Sequence, residues 1–208
     1  MIEYHVLNIG CFSRNMFWGE KQDQAYRDAI CTSTLIKGDK NIIVDPSLPP
    51  EQMAKTLYDR SGLRPDNIDF VFITHAHGDH FVGIECFPNA IWYMNRHEID
   101  ALKNSADVRD QNLAHQIQPP SDAFVKDIEL VHLPGHTFNT TGLKFNSRDG
   151  VIIACGDAVM TRDYFDHAVG HYNSVDVEMV SDTIKALGNM ADVIVPGHDN
   201  QFLTGRIK

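Results

Sequence analysis

Short runs of alternating apolar and polar residues, rich in β-branched side chains, recur along most of the chain. A period of two residues is typical of β-strands that bury one face. The pattern predicts strands at 2–9, 32–37, 41–45, 70–74, 90–94, 129–133, 142–146, 151–156 and 192–196. Short polar connectors at 38–40 and 147–150 separate two pairs of these strands, so each pair is predicted to form an antiparallel hairpin.

Two longer segments, 50–60 and 175–187, carry apolar residues at the spacing of one helix face. Ser174 is the predicted N-cap of the second helix, because its hydroxyl can accept a hydrogen bond from the first turn. Gly62 and Gly188 follow the last periodic residues and are predicted to end the two helices.

Shorter helices are predicted between the strands at 90–94 and 129–133. Asn95 and Glu98 resemble a capping box, in which the Glu98 carboxylate would reach back to the first residue of the motif. This motif opens a helix that ends at Leu102, and 108–117 is a further helical segment.

The chain contains a weak internal repeat. A hairpin that ends in Asp45 is followed by a helix and by a strand that leads to His75. A second hairpin ends in Asp157 and is again followed by a helix and a strand, which leads to His198. Repeated order of this kind is typical of a duplicated structural unit, although amphipathic hairpins can also resemble each other by chance.

The repeat predicts two similar β-sheet halves that pack face to face with helices outside, so that the strand ends converge on one edge. We expect one domain, 1–208, with halves at about 1–120 and 121–208. A chain of this length can bury a sizeable core without disulfides or metal.

Composition and net charge exclude some classes of function. Hydrophobic residues make up 43% and charged residues 22% of the chain, which is typical of a globular protein. The formal net charge is -10, and there is no run of basic residues. This balance argues against a general DNA or RNA coat, which needs a face rich in Lys and Arg.

The N-terminal sequence and the cysteine pattern favour a cytoplasmic location. No basic segment followed by an apolar stretch opens the chain, and the longest aliphatic runs have the length of strands, so we expect neither a signal peptide nor a membrane span. The four cysteines form no C-x-x-C pair, which fits a reducing compartment.

The densest polar cluster directly follows the predicted strand at 70–74. His75, His77, Asp79 and His80 place three imidazoles and one carboxylate within six residues. Imidazole nitrogen and carboxylate oxygen are the ligands that divalent zinc or iron accept. A loop this short cannot wrap a single metal with all four side chains, so the cluster predicts two adjacent metal ions.

Three further polar residues stand at predicted strand ends, namely His136, Asp157 and His198. With the cluster at 75–80 they give the order HxHxDH, H, D, H, which resembles the metallo-β-lactamase superfamily over nearly the whole chain. The resemblance implies an α/β (α+β) fold, an αββα sandwich of two mixed β-sheets with helices on the outer faces. It places the site at the edge of the two sheets.

The resemblance also implies a ligand set, residue by residue. The implied ligands of the first metal ion are three histidines, His75, His77 and His136. The implied ligands of the second are one carboxylate and two imidazoles, Asp79, His80 and His198. Asp157 is implied to bridge two divalent ions, zinc being the first expectation and iron or manganese the alternatives.

This ligand set predicts a metal-dependent hydrolase. Two adjacent dications lower the pKa of a bridging water to about 7 or below, so hydroxide is available at neutral pH as the nucleophile. Asp79 is the candidate catalytic group that would accept a proton and return it to the leaving group. The expected substrate is a small molecule, an ester, thioester or lactone.

With an aspartate at the implied bridging position, the chain resembles the glyoxalase II, lactonase and RNase Z branches. Most true lactamases of the superfamily lack this aspartate. Glyoxalase II proteins carry a helical region beyond the position of His198, where this chain has only ten residues, which argues against that assignment. Nucleases carry an extra domain or arm that does not fit between His80 and His136, so nucleic acid is not the expected partner.

Two aromatic segments are candidates for substrate contact. Tyr164 and His171 lie in the segment 161–173 after the bridging aspartate, where a loop would cover the metals and contact the substrate. The loop at 11–18 either closes the mouth of the pocket or packs elsewhere, under the sandwich or in a homodimer contact.

Functions other than hydrolysis of a small ester or lactone also fit these residues. A mononuclear iron dioxygenase acting on persulfides would use His75, His77, His136 and Asp157, and such enzymes share the fold. A phosphodiesterase or nuclease is a second possibility. A metal-binding module without catalysis is a third.

Overall fold

Ten β-strands form two five-stranded sheets in the computed structural model, which describes residues 1–121 and 124–205. The first sheet contains, in spatial order, β1 (Glu3–Asn8), β2 (Ser33–Lys37), β3 (Asn41–Val44), β4 (Phe70–Ile73) and β5 (Ile91–Met94). The second contains, in spatial order, β6 (Ile128–His132), β7 (Thr141–Ser147), β8 (Gly150–Gly156), β9 (Val193–Pro196) and β10 (Phe202–Leu203). Both sheets mix parallel and antiparallel pairs, and the two predicted hairpins, β2 with β3 and β7 with β8, are confirmed.

Five α-helices accompany the sheets in the part of the chain that the structure describes. They are α1 (Pro50–Ser61), α2 (Arg96–Lys103), α3 (Val108–Ala114), α4 (Arg162–His167) and α5 (Val177–Met190). None of the helices within 1–121 and 124–205 combines the length and the apolar character that crossing a membrane requires.

The layers follow from the alternation of side chains along the strands. Ile42 and Phe72 of the first sheet share one core cluster with Phe145 of the second sheet, so these inner faces pack on each other. Ile43, the next residue along β3, points to the opposite face and packs in a separate cluster with Leu57 of α1.

The second sheet repeats this arrangement. Ile153 and Ile194 on its outer face pack in one cluster with Val180, Ile184 and Leu187 of α5. The order of layers is therefore helix, sheet, sheet, helix, which confirms the predicted αββα sandwich. The assignment of 1–208 to a single domain with two pseudo-symmetric halves stays a prediction.

The predicted start and end of α5 were wrong. Asp176, not Ser174, is the N-cap, and its side chain accepts a hydrogen bond from Met179 N. Gly188 lies within α5, which continues to Met190 before ending. The helix α4 and the two-residue strand β10 were not predicted, because six and two residues are too few to show a clear period.

The interior position of Gly188 gives a stability prediction. A Cβ added there would lie 3.5 Å from the Phe165 ring, an ordinary van der Waals distance. Because glycine disfavours a helix interior relative to alanine, we expect Gly188→Ala to raise the free energy of unfolding by about 1 kcal/mol. Thermal unfolding checks this, and a lower melting temperature would show that the helix cannot accept the methyl group.

Candidate metal centre

The polar residues singled out in the sequence follow strands that end at one edge of the sandwich. His75 comes two residues after the end of β4, Asp157 directly follows β8, and His198 follows β9 by two residues. The pairs β3/β4 and β8/β9 are parallel, so the ends of these neighbours meet at the same edge of their sheet. Thr141 N donates a hydrogen bond to Thr74 O over 3.0 Å and joins the two sheets at this edge.

Four side chains form a first group, His75, His77, His136 and Asp157. His77 Nδ1 lies 3.0 Å from His75 Nε2 and 2.8 Å from His136 Nε2. Asp157 Oδ2 lies 3.3 Å from His136 Nε2 and 3.8 Å from His75 Nε2. One atom of each side chain therefore faces a common point, with all four atoms within 4.8 Å of one another.

Three side chains form a second group, Asp79, His80 and His198, whose facing atoms also lie within 4.8 Å of one another. Asp79 Oδ2 lies 3.6 Å from His198 Nε2. His80 and His198 are buried, whereas 27% of the Asp79 side chain is exposed, so this carboxylate is the member that solvent reaches.

Asp157 connects the two groups through its two oxygen atoms. Oδ2 faces His75 and His136, while Oδ1 lies 3.2 Å from His80 Nε2 and 3.3 Å from His198 Nε2. The carboxylate is 5% exposed and is therefore held between two clusters of imidazoles inside the protein. All residues of the predicted ligand set are thus brought together, although their role as ligands stays a prediction.

The donor atoms fit divalent metal ions. His80 Nε2 and Asp157 Oδ1 are buried, and neither has a hydrogen-bond partner in the part of the chain that the structure describes. Buried polar atoms without partners cost free energy, so atoms left unpaired in this way are typical of sites that bind an ion. Imidazole and carboxylate are the ligands that zinc and iron accept, which the whole cluster supplies.

Electrostatics favour the same interpretation. Burial lowers the pKa of His75 well below its ordinary value and lowers the pKa of His136 to about 3, so both imidazoles are neutral at pH 7. Neutral imidazole is the form that binds a metal. Burial alone would raise the pKa of Asp157, but His198 and His80, whose own pKa values are raised beside this carboxylate, outweigh the burial and hold the Asp157 pKa well below the ordinary range.

The second ring nitrogen of each buried histidine is held by an oxygen atom. His75 Nδ1 lies 3.1 Å from Thr74 Oγ1, and His198 Nδ1 lies 3.0 Å from Ile30 O. These contacts leave Nε2 free to face the centre, and partners of this kind fix the tautomer and the ring orientation of metal-binding histidines.

Asp45 supports His80 in the same way, and the sequence did not reveal this role. Its Oδ2 lies 2.9 Å from His80 Nδ1 and accepts a hydrogen bond from Thr74 Oγ1, while Oδ1 accepts one from Thr74 N. Asp45 has a φ of 49°, a left-handed conformation that costs free energy for most residues. The one available signal was the repeat, in which Asp45 occupies the position of Asp157.

The segment at 11–30 lies against the second group. The Phe12 ring is 5.1 Å from the His198 ring and 4.4 Å from the His171 ring, measured between centroids. His198 Nδ1 lies 3.3 Å from Cys11 O and 3.0 Å from Ile30 O, at the two ends of this segment. The predicted loop at 11–18 is therefore held close to this part of the centre.

Tyr164 and His171, the predicted substrate contacts, are both buried beside Phe12. The Tyr164 hydroxyl lies beside the Met16 backbone without a well-aligned hydrogen bond, and burial raises its pKa to about 12. His171 Nδ1 is bonded to Asn173 Oδ1, while its Nε2 has no partner among residues 1–121 and 124–205. The Tyr164 hydroxyl and His171 Nε2 could therefore form a hydrogen bond with a substrate, and such a contact stays a prediction.

Comparison with known proteins identifies the family. The model of the metallo-beta-lactamase superfamily matches residues 26–198, most of the chain. The chain belongs to the metallo-beta-lactamase superfamily. The matched range includes every residue of the predicted ligand set, from His75 to His198.

Relatives within this superfamily include lactonases. An N-acyl homoserine lactonase from a Bacillus species is 24% identical over 190 residues, which cover 87% of this chain and 74% of the relative. The metallo-beta-lactamase domain-containing protein 1 of Xenopus laevis is 27% identical over 175 residues, covering 81% of this chain and 70% of the relative.

Solved structures of the superfamily share the fold. A quorum-quenching N-acyl homoserine lactone hydrolase superposes with a TM-score of 0.72 at 19% identity, over 95% of this chain and 91% of its own. The dizinc quorum-quenching lactonase AidC, solved with a product, gives a TM-score of 0.67 at 18% identity, over 82% and 72%. Together with the family match, these relatives support a metal-dependent hydrolase that binds divalent metal ions.

Proposed function

We propose that this superfamily member binds two zinc ions and hydrolyses a small lactone, ester or thioester, of which a lactone is favoured. The observation that carries the proposal is the placement of Asp157, whose two oxygen atoms face two separate groups of imidazoles. A carboxylate whose oxygens face two groups suits two ions, whereas a single ion bound by the first group would leave Asp79, His80 and His198 with no ion to bind.

In this proposal the ligands are those that the sequence predicted. His75, His77 and His136 would hold one ion, Asp79, His80 and His198 would hold the other, and Asp157, which faces both groups, would serve both. When bound, the ions supply an activated water at neutral pH and a Lewis acid for the carbonyl oxygen of the substrate.

Asp79 is the group that we assign to proton transfer. Its side chain is the more exposed carboxylate of the centre, at 27%, so both water and substrate can reach its oxygens. In lactone hydrolysis the oxygen of water joins the acyl carbon, the acyl C–O bond of the ring breaks, and the ring oxygen leaves with a proton. Asp79 would take the proton of the attacking water and return it to that leaving oxygen.

The choice of substrate rests on the relatives and on the buried polar atoms near the centre. Several relatives are N-acyl homoserine lactonases, which act on small molecules. The Tyr164 hydroxyl and His171 Nε2, beside Phe12, are the groups that we assign to hydrogen bonding with a substrate oxygen.

The test starts from protein purified without added metal. Elemental analysis is expected to give about two zinc ions per chain, and activity is expected on lactones, esters or thioesters without uptake of oxygen. One iron per chain with consumption of oxygen on a persulfide would instead establish a dioxygenase. Activity confined to phosphodiesters would contradict the proposed substrate class.

Removal of the ions gives a stability prediction. A chelator is expected to abolish hydrolysis and to lower the melting temperature by about 5–11 °C for each ion removed, since a ligand at 100 times its Kd contributes about 2.7 kcal/mol and 1 kcal/mol shifts a chain of this size by about 2–4 °C. Added zinc should restore both. An unchanged melting temperature after complete metal removal would contradict a centre built from buried ligands.

A further inference from the structure

Glu98 is a buried carboxylate that does not make the contact predicted from the sequence. In the first turn of α2, Asn95 caps the helix alone, and its side chain accepts a hydrogen bond from His97 N. The Glu98 side chain, 4% exposed, leaves the helix instead of reaching back to Asn95. Its partners therefore lie outside α2.

Those partners are the two loops that carry the first ligand group. Glu98 Oε2 accepts a hydrogen bond of 2.9 Å from Ala76 N, the backbone amide of the residue between His75 and His77. Glu98 Oε1 accepts a hydrogen bond of 2.6 Å from Thr137 Oγ1, in the residue after His136. A single carboxylate thus joins two segments that come from different sheets.

The energetics of these contacts indicate that Glu98 does more than stabilise the fold. A buried carboxylate costs free energy unless hydrogen bonds compensate it, and no lysine or arginine in the described ranges forms an ion pair with Glu98. Its compensation comes from the two loop contacts and from its place in the first turn of a helix, where the dipole favours negative charge.

We propose that Glu98 is a positioning residue that fixes the His75–His77 segment relative to His136. It would thereby govern metal retention by this group more than retention by the group of Asp79, His80 and His198, which its carboxylate does not contact in the described structure. This inference rests on the proposed function, because it takes these two groups as the metal ligands.

The experiment measures how tightly zinc is retained by four variants. Glu98→Ala removes both contacts, and Thr137→Val removes one of them with little change in shape. Glu98→Gln can still accept from Ala76 N, while its amide donates to Thr137 Oγ1, whose own proton can turn to Thr140 Oγ1 at 2.8 Å. Asp100→Asn is the control, an exposed carboxyl on the same helix that forms a salt bridge with Lys103.

Zinc-loaded protein is titrated with a chelator, and bound zinc is counted by elemental analysis. Glu98→Ala and Thr137→Val are expected to lose one of the two ions at about tenfold lower chelator concentration than the wild type, since partners behind metal ligands contribute about 10–100-fold to metal affinity. Glu98→Gln is expected to recover most of the loss, and Asp100→Asn is expected to match the wild type.

Melting temperatures of the chelated proteins separate positioning from stability. A residue that only stabilises the fold would lower the melting temperature of the chelated variant and leave zinc retention unchanged, which would overturn the inference. Equal loss of both ions in Glu98→Ala and Thr137→Val would also overturn it. If Glu98→Ala does not fold, zinc retention by Thr137→Val tests the inference in its place. Wild-type protein that binds fewer than two ions would instead refute the proposed function, and this inference with it.

Discussion

Asp157→Ala is expected to reduce the metal content from two ions to about one per chain and to lower kcat/KM by about 10³-fold. The side chain is the only carboxylate whose two oxygens face both groups of imidazoles within 1–121 and 124–205. In the proposed centre of two ions, its removal would leave Asp79 as the single negatively charged ligand for two dications, whose mutual repulsion would then oppose binding of the second ion. Three imidazoles remain for the first ion, which is enough for zinc.

Elemental analysis and steady-state kinetics of the same preparation check this result. Asp149→Ala is a suitable control, because Asp149 lies in the turn between β7 and β8, at the opposite end of the hairpin that Asp157 follows, and its side chain is 50% exposed. This control should keep both ions and full activity. Two tightly bound ions in Asp157→Ala would show that the carboxylate does not bridge the centre.

The architecture was largely predictable because its signals are local. Strand β3 illustrates the reason, since Ile42 faces the other sheet and Ile43 faces α1, so the alternation in the sequence directly reflects the two sides of the sheet. The start of α5 was less predictable. Ser174 and Asp176 are both good N-caps, and only the folded backbone selects Asp176.

The cluster at 75–80 could be recognised because such residues are chemically unusual at a strand end, while the full candidate set came from the resemblance to the superfamily. Histidine and aspartate after buried strands predicted a metal site, and the structure brings these residues together. The supporting residues were not predictable, since their roles depend on contacts between distant segments. Glu98 is 39 residues from Thr137, and Asp45 is 35 residues from His80. A capping-box pattern or a hairpin end gives no information about such partners.

Gly197→Ala is expected to displace Asp157 and to lower kcat/KM by about 100-fold, with a loss of about 1–3 kcal/mol in the free energy of unfolding. Gly197 lies between β9 and His198, and a Cβ at this position would overlap Asp157 Oδ1 and lie 3.1 Å from the Asp157 Cγ. The carbonyl carbon of Gly156 is also 3.1 Å away, so the backbone next to Asp157 blocks an easy adjustment.

Zinc counting, kinetics and thermal unfolding together test this displacement. Gly188→Ala is the matched control, because it adds the same methyl group at a glycine with ordinary space and is expected to stabilise the protein. Because Asp157 Oδ1 is the oxygen that faces His80 and His198, Gly197→Ala should first weaken retention of the ion that we propose for that group. A variant that keeps both ions and normal activity would show that Asp157 can move without loss of function, which would contradict a fixed bridging position.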